Sequence, residues 1–92
     1  MTWYKTNPIK YVRRKLGKER AFGQQHGNVC EIDERLKGKK ELEICIHEPM
    51  HYLCPYMSEE EVTRVAAALT RALWKDGWRR VDNTEHEPLQ DE

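Results

Sequence analysis

Lys39-Lys40-Glu41-Leu42-Glu43-Ile44-Cys45-Ile46-His47-Glu48-Pro49-Met50-His51-Tyr52-Leu53-Cys54 admits two backbone readings, and the fold turns on the choice. Leu42, Ile44 and Ile46 alternate as a strand would. At about 100° per residue, however, Leu42, Cys45, Ile46, Met50 and Leu53 gather on one side of a helix, with His47, His51 and Cys54 roughly opposite. Pro49 speaks against a helix, because it removes the hydrogen bond to the Cys45 carbonyl, crowds that turn and pushes Glu48 from helical angles, at about 3 kcal/mol. The helix is nonetheless the expectation. It sets the imidazoles of His47 and His51 one turn apart beside the carboxylate of Glu48, which is how a catalytic zinc ion is held, with two histidine ligands and a glutamate to take a proton from water. The bland alternative is a pair of surface histidines.

The segment that follows is a helix by several independent signals. Ser58 can cap it, Glu61 is the capping-box partner three residues on, and acids suit the positive end of the helix dipole. Pro55 ends whatever precedes it. Val62, Val65, Ala66, Leu69 and Leu73 form the expected buried stripe, and Gly77 stands where a left-handed C-terminal cap belongs, with Trp78 able to fold back on Leu73.

A catalytic zinc needs a third protein ligand and an open position. Glu59 lies about 70° from the centre of the second helix's buried stripe and leans toward the core, Glu61 lies about 90° off on the other flank, and Glu60 points to solvent. Glu61 has the capping role already, which favours Glu59. Cys54 is a rival, since it follows His47 by seven residues and His51 by three on the same face, and a site with a thiolate would be structural rather than hydrolytic. Cys30 and Cys45 read as core residues. Tyr52 and Tyr56 are candidate donors to an oxyanion, although tyrosines there more often pack; Asp33 could orient a ligand imidazole or cap a turn.

Upstream, Asn7-Pro8 is a turn signal and Ile9 to Arg13 has strand character. Gly17 and Gly23 bracket a short segment around Arg20-Ala21-Phe22, and His26-Gly27-Asn28 turns into Val29 to Asp33, whose alternation separates Val29 from Ile32 unless a bulge intervenes. Two or three antiparallel strands are expected before residue 34, with a turn at Lys37-Gly38-Lys39-Lys40. The strand from Val29 to Ile32 is the expected exposed edge, able to pair with an extended peptide.

Ninety-two residues make one domain, at a size where a bound metal would help a small core. With 38% hydrophobic and 35% charged residues the chain reads as soluble, and no apolar run approaches the roughly eighteen residues that span a bilayer. The first residues lack the apolar centre of a signal peptide, and three cysteines without framework spacing fit a reducing compartment, so a cytoplasmic location is expected. Net charge is zero but unevenly spread: residues 1–20 hold seven Lys/Arg against Glu19, while residues 82–92 hold five acids and no Lys or Arg. The basic end could meet a polyanion, or its charges could guard a solvated edge strand. Residues 83–92 read as a disordered acidic tail on a domain of residues 1–82. Oligomeric state is open.

Asp33 to Leu42, the HEPMH box, and the helix from Ser58-Glu59-Glu60 to Leu73-Trp74-Lys75-Asp76-Gly77-Trp78-Arg79 together resemble a family of small metallopeptidases common in phages and prophages. The resemblance covers roughly residues 28–80 and is to minimal gluzincins, related in layout to SprT-like and ImmA-type peptidases. It implies an α+β, zincin-like domain: a short antiparallel sheet, an HExxH helix and a further helix that contributes a glutamate. It further implies one Zn2+ held by His47, His51 and Glu59, Glu48 as general base, and a peptide or protein substrate. Pro49 departs from the family's usual aliphatic or small residue and puts the straightness of the helix in question. A competing reading keeps the zinc without catalysis, making the chain a binding module that contacts nucleic acid or a host protein through its basic N-terminal region.

Overall fold

The computed structural model describes residues 7–17 and 22–81. The anticipated acidic tail and most of the segment between Gly17 and Gly23 therefore lie outside the described residues. Within them the order is β1 (Lys10–Arg14), β2 (Gly23–His26), β3 (Val29–Asp33), α1 (Gly38–Leu53) and α2 (Glu59–Lys75), an α+β arrangement. No helix among the described residues is long and apolar enough to cross a membrane.

The sheet is mixed rather than antiparallel, with strand order β1-β3-β2. Gly27, at φ 60°, permits a two-residue connection that pairs His26 with Val29, so β2 and β3 form a tight antiparallel hairpin. The hairpin's second strand then inserts beside β1, and the two run parallel with Tyr11 opposite Cys30. This reverses one expectation: β3 is the central strand, and β1 and β2 are the edges. Along β3 the residues buried toward the helices are Cys30 and Ile32, while Val29 is half-buried, which is simple alternation and needs no bulge.

α1 is the middle element. One side packs on β2 and β3, the other on α2. Burial from two directions explains why a single apolar stripe misdescribes it: its buried residues are Glu41, Ile44, Glu48 and Pro49, whereas Leu42, Cys45, Ile46 and Met50 are half-buried and Leu53 is exposed. The expected turn at residues 37–40 contracts to Lys37 and Gly38. Lys37 is extended, Gly38 takes φ 65°, and Lys39 and Lys40 are already helical.

α2 starts as its sequence requires. The Ser58 hydroxyl accepts from the Glu61 N–H at 3.1 Å, and the Glu61 carboxylate accepts from the Ser58 N–H at 2.8 Å. It ends in a Schellman arrangement, with Gly77 N–H donating to the Trp74 carbonyl, Trp78 N–H to that of Leu73, and Gly77 at φ 100°. Its buried line is Val62, Ala66 and Thr70, not the leucine-centred stripe; Leu69 is 46% exposed. Small residues face α1 and let the two helices approach.

Candidate metal centre

His47 and His51 lie on the α2-facing side of α1, one turn apart, with ring centroids 4.9 Å apart. Opposite them stands the first residue of α2. The Nε2 of His47 is 3.1 Å from one Glu59 carboxylate oxygen and the Nε2 of His51 is 3.0 Å from the other. These three side chains could hold a metal ion, since a donor atom from each falls within 4.8 Å of the others. The shift of the buried line of α2 explains the convergence. Measured from Val62, Ala66 and Thr70, Glu59 sits only about 20° off the contact direction, not 70°. Thr63, one turn on, adds a hydroxyl 3.4 Å from the same carboxylate.

The cluster is dry on one side and open on the other. The imidazoles are 13% and 26% exposed, the Glu59 side chain 69%. Glu48 is buried against β2, and burial holds its carboxyl above the ordinary glutamate range; the neighbouring His47 and His51 pull it down, and the charge of Glu59 adds to the rise. A side chain on Gly23 would collide here, its Cβ falling 2.5 Å from Ile44 Cγ2 and 2.9 Å from Glu48 Cγ. Gly23 has no positive φ, so it serves by its missing bulk. On the far side of Glu48, fully buried Cys30 has its thiol pushed up to about 11 by burial first, then by the charges of Glu48 and Cys45.

Pro49 is accommodated by a partner the sequence did not disclose. A proline there leaves the Cys45 carbonyl without its helical donor. The Tyr11 hydroxyl, from β1, donates to that carbonyl at 2.6 Å. The phenol is correspondingly hard to ionise, pushed up to about 12 by burial and then by the nearby thiols of Cys45 and Cys30. α1 thus continues past Pro49 to Leu53, and His51 stays in register with His47.

The other candidates have different employment. Glu61 is held in its capping box and Cys54 is the C-cap of α1, its N–H donating to the Met50 carbonyl at 2.7 Å; neither belongs to the cluster. Asp33 does not orient an imidazole. Its buried carboxylate accepts from the Leu16 N–H, the Arg35 N–H and the Arg35 guanidinium, and that guanidinium first, then the backbone donors, holds it far below the usual aspartate range. Tyr52 accepts from the Asn7 N–H at 2.9 Å, tying the chain before β1 to α1. Tyr56 is 82% exposed, with Cys54 beside it raising its phenol. Arg13 pairs with Glu41 at 3.1 Å and Arg14 with Glu31 at 2.9 Å, so these two N-terminal cations are engaged within the fold.

Comparison with protein-family models, with curated proteins and with solved structures gives no match. The site therefore stands on its own geometry.

Proposed function

We propose that the chain is a small zinc-dependent metallopeptidase. The observation that carries this reading is two imidazole nitrogens from one helix and a carboxylate from the next aimed at one another, with Glu48 buried alongside. The donor set suits zinc, which takes imidazole nitrogen and carboxylate oxygen at about 2.0–2.1 Å and so spaces tetrahedral donors about 3.4 Å apart. The two histidine–carboxylate separations here, 3.1 and 3.0 Å, each to a different oxygen of Glu59, are within half an ångström of that, and one donor from each of the three residues lies within 4.8 Å of the others.

His47, His51 and Glu59 are the residues that would hold the ion. When bound, zinc supplies Lewis-acid polarisation of a substrate carbonyl and makes water a stronger acid. Glu48 takes up a proton and returns it to the leaving amine; burial weakens its acidity and brings it closer to that task at neutral pH. Gly23 leaves the space in which that side chain stands. The peptide-binding edge is β2 rather than the strand from Val29 to Ile32, because β3 is covered on both sides while β2 borders α1. An extended substrate pairing with β2 is recognised through its main chain.

Metal analysis of untagged protein, followed by hydrolysis of an unfolded protein such as casein, tests the proposal. About one zinc per chain is expected, with activity abolished in Glu48→Gln while its zinc content is unchanged. Less than about 0.2 zinc per chain after supplementation would defeat the assignment.

A further inference from the structure

The short connection between α1 and α2 makes the helices antiparallel, so the end opposite the metal cluster combines the N-terminus of α1 with the C-terminal half of α2. The Trp74 ring lies under the first turn of α1, where a Cβ on Gly38 would be 3.6 Å from it. Two cavities flank that turn. One, of about 380 Å³, is walled by Leu42, Cys45, Trp74 and Trp78, with Lys37 and Arg80 beside them. Glu41 also borders it, but its carboxylate faces Arg13 at 3.1 Å and Arg80 at 3.8 Å. The other, of about 430 Å³, lies between Lys39, Lys40 and Glu43 on α1 and Ala67, Thr70 and Arg71 on α2.

Three independent features at this end call for an anion carrying flat rings. First, Lys37, Lys39 and Lys40 outnumber the one acid of the first turn, Glu41, at the positive end of the α1 dipole; that acid is taken up by Arg13, and Lys37 provides no side-chain cap for the unpaired N–H groups. A local rule broken in this way is relieved by a bound anion. Second, Thr70 lines the second cavity at 2% exposure, and among the described residues its Oγ1 has no hydrogen-bond partner. Third, Trp78 is 61% exposed, and Trp74 carries the Arg79 guanidinium 3.5 Å over its ring, so indole faces border the cationic rim. Arg79 itself is occupied with the carbonyls of Trp74 and Trp78. Lys40 is engaged too, 3.9 Å from the Glu43 carboxylate and 5.2 Å over the Phe22 ring. The cations left to meet a ligand are thus Lys37, Lys39 and Arg71, and the free stacking face is Trp78.

We propose that this end of the helix pair binds single-stranded nucleic acid, with phosphates on Lys37, Lys39 and Arg71 and a base stacked on Trp78 over the smaller cavity. Bases in a duplex are stacked on one another and offer no free face to an indole, which sets the preference for single strands. An acidic peptide shares the charge complementarity but has no ring to stack.

Fluorescence anisotropy with the full chain and a labelled single strand of about twelve nucleotides tests this. Binding should weaken with salt, log K falling against log salt by about 0.7 per phosphate engaged. Trp78→Ala should cost about tenfold while Trp78→Phe, which keeps a ring, retains most of the affinity. Lys39→Glu with Arg71→Glu should flatten the salt slope by about 1.4. All these positions are exposed, so thermal melting and zinc content should match wild type, which separates this surface from the metal site. Absence of binding at low salt overturns the proposal. So does binding insensitive to both variants, or equal affinity for a duplex or for an acidic peptide of the same charge.

Discussion

The two ends of the helix pair are built from the same two elements and carry opposite chemistry. At one end Glu59, Glu60 and Glu61 open α2 in agreement with its dipole, and Glu59 meets His47 and His51. At the other, Lys37, Lys39 and Lys40 open α1 against its dipole and share the surface with Arg71, Trp74 and Trp78. A chain of zero net charge is thereby divided into an end whose side chains could hold a metal ion and a cationic, aromatic one. On the two proposals the first should gain stability when a cation arrives and the second when an anion does, so each should answer to its own ligand and ignore the other's.

The largest expected effect breaks the metal end alone. Saturating zinc, at about a hundred times its dissociation constant, should stabilise the wild type by about 2.7 kcal/mol and raise its melting temperature by roughly 10–20 °C. Glu59→Gln should abolish that rise, since even a supporting partner of a metal ligand is worth about ten- to a hundredfold in affinity. Calorimetry with and without zinc measures it. A zinc-dependent rise that survives Glu59→Gln would mean that the cluster is an ion pair and that the cation binds elsewhere.

Gly23→Ala comes next and acts on the wall that both sheet and site share. The added methyl meets Ile44 Cγ2 at 2.5 Å and Glu48 Cγ at 2.9 Å. Overpacking of this kind costs about 1–3 kcal/mol. Denaturant unfolding should show that loss, with the zinc stoichiometry and any nucleic-acid binding kept. An unchanged midpoint would show that β2 can lift from α1 without penalty.

How far the sequence disclosed these sites depended on how locally each was encoded. The convergence of His47, His51 and Glu59 was legible because spacing along two helices determines it: one turn between the histidines, and the first residue after the Ser58 cap. The line of burial was legible only in part: Val62 and Ala66 are buried as expected, but Leu69 looks like core and is exposed, while Thr70 looks incidental and is buried. Hydrophobicity reports what a residue prefers; the side of α2 that is buried is the line of Val62, Ala66 and Thr70. The sheet order was hidden for a similar reason. A hairpin at His26 to Val29 is a local signal, but the insertion of β3 beside β1 pairs residues nineteen positions apart, such as Tyr11 with Cys30, and no adjacent pattern announces it. The cationic end was missed as well, since its members come from residues 37–40 and 71–80 and only the fold joins them.

Tyr11→Phe is a smaller perturbation that tests how α1 is kept continuous between the two ends. Deleting the hydroxyl removes from the Cys45 carbonyl the donor that Pro49 cannot supply, at a cost of about 0.5–1.5 kcal/mol for a bond open to solvent. In Pro49→Ala the residue-49 N–H takes that carbonyl, so the cost of Tyr11→Phe should shrink in that background. A double-mutant cycle by denaturant unfolding reads the coupling. Additive effects would mean that the phenol contributes packing alone.

The weakest effect appears only in acid, and it asks whether Asp33 belongs to the metal end at all. Arg35 and two backbone N–H groups hold its carboxyl below the ordinary value, so the folded state binds a proton there less readily than the unfolded chain. Its contribution is therefore complete above the unfolded pKa of about 3.9 and is lost as pH falls through the lower folded value. Asp33→Asn should be less stable than wild type by a constant margin from about pH 5 upward, and the two curves should converge below about pH 4. Zinc affinity supplies the deciding measurement. A carboxylate that orients a ligand imidazole would change it about ten- to a hundredfold on mutation. One that closes the turn after β3, as the bonds to Leu16 and Arg35 require, leaves it unchanged, because its field is spent on groups that touch neither histidine.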